Sequence, residues 1–490
     1  MQSWTWTNSS RTRRWTDAKN WSPEGTPQDG DEVTIPAVDA WGNTGGNGPA
    51  GAPALSLSKL TLQGLTLYDG PFTVTKTLAW SGGLMDADVT VSGDASVSGL
   101  DGSVSNPGIV NNHTLKVSGT ATITGTASLS PFPRLLIATG GKLVNTGSLT
   151  LSDAGFASNA GFGVVTNGGT LSVIGSSATA GGALTITHKA GAQLDIAVGG
   201  EFIVGAGTVL KLAGGKVTGE LGTLQAGDGN GGEIDVPVDT TVPQLVIGGN
   251  GTVSVTAAAG TPPPTLTVSE YLGWGDGSSA AKYSALVGHL ILLPGATGNI
   301  GNHASLTSGK VENAGHVTVA ANTTLTLQGT QPTIVNSGTL TLSGTCTAGF
   351  GTVTSTGLIE KTGTGVALFN VALTSKGNVA VSGGTLQIGG GDWTIPGGTV
   401  SLAGGARLEG AQAGRLVLTG GPQGGVLAGA GTVAANVVNG GWVEPAAPGL
   451  TITSYSQQPT GNIALPSAAA PLLTLGGANL HLDGSLWVLA

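Results

Sequence analysis

The sequence predicts an all-β fold, a right-handed parallel β-helix (solenoid) with a Trp-rich N-terminal cap. Three observations predict it: a composition poor in charge and rich in Gly, an Asn-centred motif that recurs along the chain, and short runs in which apolar and hydroxyl residues alternate.

Only 9% of the 490 residues are charged and 4% are aromatic, while Gly contributes 87. Amphipathic helices need regularly spaced Glu, Lys, Arg, Leu and Ala, and such stretches are almost absent. Thr, Val, Leu, Ser, Ala and Gly remain, the residues of short strands joined by tight turns. The 18 basic residues are scattered thinly in a chain of net charge −9. No basic stripe exists to neutralise a series of phosphates, which excludes nucleic acid as a partner. The single Cys346 excludes an internal disulfide framework. With no His or Cys at metal-ligand spacing, it reads as a small buried hydrophobe rather than a nucleophile. No run of 18 apolar residues could span a bilayer, and the opening MQSWTWTNSSRTRR lacks the apolar stretch of a secretory signal. The expected setting is nonetheless extracellular or at a cell surface, reached after removal of a signal, by lysis or by another route. A virion is the alternative.

The repeat is Asn-x-Gly-x-Leu-x-Val, usually with an apolar residue before the Asn. It reads VNNHTLKV from Val110, LVNTGSLTL from Leu143, VTNGGTLSV from Val165, VENAGHVTV from Val311, VNSGTLTL from Val335 and VNGGWVEP from Val438. Asn145 to Asn167 is 22 residues and Asn313 to Asn336 is 23, each the length of one solenoid coil. Between the Asn positions, runs such as LTLQGLTL and LTITHKAGAQLDIAV place Val, Leu and Ile on one face and Thr or Ser on the other. Strands this short bury little surface alone, but stacked coils share a continuous core and pair their backbones. The Asn suits a turn in which its side chain bonds the backbone, and the Gly two residues later is expected to tolerate positive φ. A tandem array of immunoglobulin-like sandwiches is the competing fold, because its turn spacing is similar.

These patterns divide the chain into a cap and first coil (1–54), a solenoid (55–256), a lateral excursion or loop (257–300), a second solenoid stretch (301–425) and a C-terminal solenoid element (426–490). The cap holds Trp4, Trp6, Trp15, Trp21 and Trp41 with Arg11, Arg13, Arg14 and Lys19. A first coil exposes strand edges and an apolar cross-section, so a bulky aromatic cover is expected there; carbohydrate binding by the same Trp residues is the second reading. In 257–300, the run Pro262 to Pro264 precedes YLGWGDGSSAAKYSALVGHLILLPG, where Ser278 or Ser279 could cap a short helix reaching about Leu293. Loops carry function more often than scaffold does, which makes Trp274, Asp276 and Tyr283 the candidate binding residues, beside Tyr271.

The opening WTDAKNWSPEGTPQDGDEVTIP, with Trp15, Asn20, Trp21, Pro27, Gly30, Asp31, Val33 and Ile35, resembles the N-terminal element of bacterial extracellular β-helix proteins, the group that includes autotransporter passenger domains. The ending from Val426 resembles their closing element through Gly429, Gly431, Val433, Asn439, Gly441, Pro445, Pro448, Gly449, Leu450, Tyr455, Gln457, Gly484, Leu486 and Val488. Pro445-Ala446 departs from the usual Pro-Gly at that turn. The resemblance covers roughly a fifth of the chain. It implies the fold and an extracellular setting and says little of activity. It also implies that Asp31 makes a structural bond within the cap.

Enzymes on β-helices need clustered carboxylates on the outward face of adjacent coils. The densest acidic stretch is GDGNGGEIDVPVD, with Asp228, Glu233, Asp235 and Asp239. On a strand, Glu233 and Asp235 share a face about 7 Å apart, a separation that suits an inverting glycosidase pair. Asp228, Asn230 and Asp235 could instead hold Ca²⁺, although the spacing is not that of an EF-hand. A solvated turn is the plain alternative, and Asp86 with Asp88 and Asp29 with Asp31 are poorer clusters. His113, His188, His289, His303, His316 and His481 are too scattered for a nucleophile-activating arrangement. The expected function is a non-catalytic structural or adhesive rod, with no cofactor unless Ca²⁺, whose partner is a glycan or a surface protein and which could self-associate. A polysaccharide-degrading enzyme, such as a phage tailspike depolymerase or a secreted lyase or hydrolase, is the alternative.

Overall fold

A computed structural model describes the chain except for residues 45–47, 101–108, 111–112, 126–133, 159–161, 258–259, 276–282, 330–331, 345, 390, 411–413, 421–423, 466–472, 477–484 and 489–490. The structure is 61% strand. The described residues contain no α-helix and a single 3-10 turn, Ala18–Asn20. The chain forms two compact units, Met1–Val246 with Asn250–Pro262, and Ile247–Gly249 with Pro263–Ala490. Each is a parallel β-solenoid.

In the first unit three ladders of parallel strands run side by side. One passes through Lys142–Asn145, Gly163–Asn167, Leu184–Lys189 and Thr208–Ala213. The next passes through Thr120–Gly125, Ser148–Ser152, Thr170–Ile174 and Gln193–Ile196. The third passes through Gly155–Ala157, Ala178–Gly181 and Glu201–Val204. Alternation along each strand sends one set of side chains inward, so Leu143, Val165, Ile186 and Leu210 stack in register and are buried. Full burial of one such side chain is worth about 1.5–3 kcal/mol. The second unit repeats the plan. One of its inward columns runs Leu290, Val311, Ile334, Val353, Leu373, Trp393 and Leu416 through seven successive strands. Parallel pairing throughout these ladders rules out the sandwich array, whose sheets are antiparallel.

Asn145 and Asn167 lie directly opposite one another on successive coils, as do Asn313 and Asn336. In three of the motifs the Asn side-chain oxygen accepts the amide of the Gly two residues on, at 3.2 Å for Gly147, 3.1 Å for Gly315 and 3.0 Å for Gly441. The Gly itself has a different role from the one expected. Gly147, Gly169, Gly315, Gly338 and Gly357 are absent from the residues with positive φ. What requires Gly is the stacking of the corners. A methyl group on Gly169 would overlap the carbonyl of Gly147, and one on Gly338 would overlap that of Gly315. Gly357, Gly377 and Gly398 continue this column, each against the Gly before it. The motif spacing thus encodes an interlock between coils rather than a left-handed turn.

Within the expected lateral excursion at 257–300, the described strands are instead part of the stack. Thr265–Trp274, Ser284–Leu292 and Thr297–Ile300 are strands, and Ser284–Leu292 pairs along its length with Ala304–Asn313. The expected helix therefore does not form over Ser284–Leu292. Its apolar run SALVGHLIL is ambiguous between periods, and the ladder beside it decides for strand. Asp276, Ser278 and Ser279, and Asn111 and Asn112 of the first motif, lie outside the described residues, as does the side chain of Cys346.

The cap closes the first unit. Ser3–Trp6 pairs in parallel with Glu32–Ile35 and antiparallel with Trp21–Ser22, and Glu32–Ile35 pairs with the first long strand, Leu55–Leu62. Trp4, Trp6, Trp15 and Trp21 are buried. Trp21 packs edge-on against Trp6 and Trp15, and Trp15 meets Phe72 of the coil beneath at 5.4 Å. Asp31 ties the cap together, accepting the Trp4 indole N–H at 2.8 Å and the Gln2 and Gln28 amides. Burial pushes its carboxyl up, but these three donors outweigh burial and hold it below the ordinary carboxylate range.

Candidate functional site

The acidic stretch predicted as the best chemical candidate lies on the outward face of a sheet, with Glu233 and Asp235 half-buried. Glu233 and Asp235 flank buried Ile234 on the strand Gly232–Asp235 and point outward, as their spacing predicts. On the neighbouring strands Glu233 stands beside Val209 and Thr252, and Asp235 beside Lys211 and Ser254. Lys211 pairs with Asp235 at 3.6 Å. No carboxylate from an adjacent strand joins them in that row. Asp228 turns back on its own loop, where it accepts the Asn230 amide at 3.0 Å. Among the described residues no three His, Cys, Asp or Glu side chains converge at a metal-binding distance. Of the predicted binding residues, Trp274 is buried and donates its indole N–H to the Ser284 carbonyl at 2.9 Å, so it belongs to the core. Tyr283 is half exposed and meets the His303 ring edge-on.

The polar chemistry that the sequence did not disclose lies at the coil corners. The Asn145 amide donates to Asn167 Oδ1 at 2.7 Å and to the Thr170 carbonyl of the next coil. Asn167 donates in turn to His188 Nδ1 at 3.0 Å and to the Gln193 carbonyl. His188 takes the third place in this ladder and is 1% exposed. With Nδ1 accepting, its Nε2–H donates to the Lys216 carbonyl at 3.0 Å. In the second unit Asn313 donates to Asn336, and Asn336 to the Ser355 hydroxyl. Lys361 is a further buried polar group, at an inward position between Leu342 and Val381, with Nζ on the carbonyls of Thr362 and Gly363. Strict alternation in LIEKT places that lysine inward, and only its charge argued against it.

Desolvation lowers the pKa of His188 below its ordinary 6.5, against the smaller upward pull of the Lys216 carbonyl. The folded chain keeps the ring neutral, whereas an unfolded chain protonates it near 6.5. Stability from this site is therefore complete above that pH and is lost as pH falls from there through the lower folded-state value. The melting temperature is expected to drop between about pH 7 and pH 5, with a shallower drop in His188→Asn, which can continue the amide ladder without a titrating ring. Equal slopes in the two proteins would clear His188 of the effect.

Several exposed charges are paired in small isolated groups. His113 sits 3.5 Å from Asp86 and 3.6 Å from Asp88, a contact made one coil apart that sequence spacing alone did not reveal. Glu312 pairs with Lys310 and His289, and Asp392 with Arg415. A groove in the second unit, lined by Leu327, Gln328, Pro332, Thr333, Gly351 and Thr352, has no ionisable side chain in its wall.

Fold and surface together define a parallel β-solenoid repeat protein whose buried polar residues hold coils in register. No protein-family model, curated protein or solved structure matches the chain. No helix among the described residues is long and apolar enough to cross a membrane.

Proposed function

We propose that this chain is a non-catalytic structural or adhesive solenoid of the extracellular space or a cell surface, similar in kind to the autotransporter-passenger group that its two ends resemble. It presents a lateral strand face and loops to a glycan, a host surface or a partner protein. A virion is the other setting in which such a scaffold serves. The observation that carries this reading is the outward face formed by Thr120–Gly125, Ser148–Ser152 and Thr170–Ile174. Thr120, Ser148 and Thr170 line one row there, and Thr122, Thr150 and Ser172 the next. Such a face offers regularly spaced hydroxyls for hydrogen bonding and contains no acid, base or nucleophile pair. The acidic stretch around Glu233 supports the same reading. Glycosidic cleavage needs one carboxyl held protonated and another held ionised by rigid, partly buried surroundings. Here one of the two carboxylates is paired with Lys211 and the other stands between Val209 and Thr252, with no third carboxylate in their row.

Purified protein is expected to release no reducing ends and no unsaturated products from a panel of plant, algal and bacterial polysaccharides. Turnover that disappears in Glu233→Gln or Asp235→Asn would replace the scaffold reading with a polysaccharide-degrading enzyme.

A further inference from the structure

The cap contains one segment that anchors the core through Trp15 and yet holds two arginines in strained backbone at the surface. Within residues 7–20 the chain carries Arg11, Arg13, Arg14 and Lys19 against Asp17 alone, in a molecule of net charge −9. Arg11 has φ 62° and Arg13 φ 56°, left-handed values that side chains other than Gly, Asn and Asp rarely adopt. Both positions are strained for an arginine, and Gly or Asn would relieve the strain.

The loop is held in that shape by buried polar hubs. Asn20 binds the Ser10 and Thr12 hydroxyls and the Arg14 carbonyl. Asn8 accepts the Arg13 amide and donates to Asp39. Burial would raise the Asp39 carboxyl, but the Asn8 and Asn43 amides and the Trp41 backbone outweigh it and lower its pKa to about 2. Asp39 is thereby fixed as an inward-facing anion.

This rigid loop holds two cation–aromatic pairs at the surface. The Arg11 guanidinium lies 3.7 Å from the centre of the Trp41 ring, and Arg13 lies 5.3 Å from that of Tyr68. Trp41 is 50% exposed, unlike the four other cap tryptophans, and its indole N–H is anchored on the Asn8 carbonyl at 3.1 Å. Among the described residues none of Arg11, Arg13 and Arg14 forms an ion pair with a carboxylate. Guanidinium forks match carboxylates, and the half-exposed Trp41 indole beside Arg11 offers apolar ring surface.

We propose that the Arg11–Trp41 and Arg13–Tyr68 pairs of the cap form a binding surface for an acidic polysaccharide, with uronate carboxylates on the arginines and a pyranose C–H face on Trp41. The proposal rests on the adhesive reading above and narrows it to one place and one chemistry. Three arginines are too few for the multiple phosphate contacts that a nucleic acid needs.

Titration calorimetry of the full chain with polygalacturonate, against its fully methyl-esterified form, tests the proposal. Binding is expected for the acid polymer only, weakening as salt rises. The double variant Arg11→Asn with Arg13→Asn keeps residues that tolerate left-handed backbone and removes both guanidiniums. It is expected to bind at least about tenfold more weakly while melting no lower than the parent. Trp41→Ala is expected to weaken binding as well. Equal binding by parent and double variant would overturn this site and leave the adhesive reading standing elsewhere on the surface. Equal binding of the acid and ester polymers, or binding of neither, would also overturn it. So would a large fall in melting temperature of the double variant, since that would mark the arginines as structural. The scaffold reading fails separately, on turnover.

Discussion

Replacing Gly338 by alanine is expected to lower the stability of the protein by about 3 kcal/mol, the upper end of what an overpacked site costs. The reason is local and geometric. Gly338 lies between Gly315 of one coil and Gly357 of the next, and its Cβ position is occupied by the Gly315 carbonyl with Ala314 beside it. Backbone cannot yield as a flexible side chain can, so the coils must separate, and separation weakens the ladder bonds from Thr339 to Gly315 and from Leu358 to Gly338. Urea unfolding followed by Trp fluorescence would measure the loss. Ser337→Ala, one residue away and exposed, removes only a 3.3 Å hydroxyl bond to the Asn313 carbonyl and is expected to cost less than about 1 kcal/mol. Similar losses from the two changes would mean that the corners are ordinary turns.

Asn336→Leu is expected to be comparably severe, at about 3 kcal/mol, although it replaces a polar side chain by an apolar one of nearly the same volume. Asn336 is fully buried, accepts from Asn313 at 2.8 Å and donates to the Ser355 hydroxyl and the Leu358 carbonyl. Leucine leaves the Leu358 carbonyl short of that donor, and the Asn313 amide keeps only its bond to Thr339. Three polar groups, the Asn313 amide, the Ser355 hydroxyl and the Leu358 carbonyl, lose a partner in one change, which is the costly side of hydrogen-bond energetics. A destabilisation under about 1 kcal/mol in the same unfolding assay would show that the ladder is dispensable.

Much of this architecture was legible in the sequence, for physical reasons that differ from element to element. Alternation in LTL, VTV and LTIT fixes which side chains point inward, because a one-residue shift would turn every apolar residue to solvent. The coil length was visible because Asn145 and Asn167 must fall opposite each other for their amides to meet. The role of the motif Gly was not legible, since a residue needed for close approach and one needed for positive φ have the same letter. The stretch 257–300 misled because Pro262 to Pro264 and the Gly/Ser cluster read as loop chemistry, while the strand Ser284–Leu292 is decided by its neighbour Ala304–Asn313. His188 was hidden for a related reason. It occupies an Asn position in the corner ladder without the Asn-x-Gly signature, and only the register Asn167 to His188 discloses it. The candidate surface was legible as a Trp and Arg concentration, but only burial separates Trp41 from the four tryptophans that close the cap.

Hydrogen–deuterium exchange of the full chain, read at peptide level by mass spectrometry, tests most directly the claim that the Asn-x-Gly corners are interlocked parts of the stack. The amides of Thr146 and Gly147 bond to the Val117 carbonyl, and those of Ser337 and Gly338 to the Asn313 carbonyl, each on the preceding coil. These corner amides are expected to be protected as strongly as the flanking strands Lys142–Asn145 and Thr339–Ser343. Corners that exchange as fast as exposed loops while those strands stay protected would contradict the account.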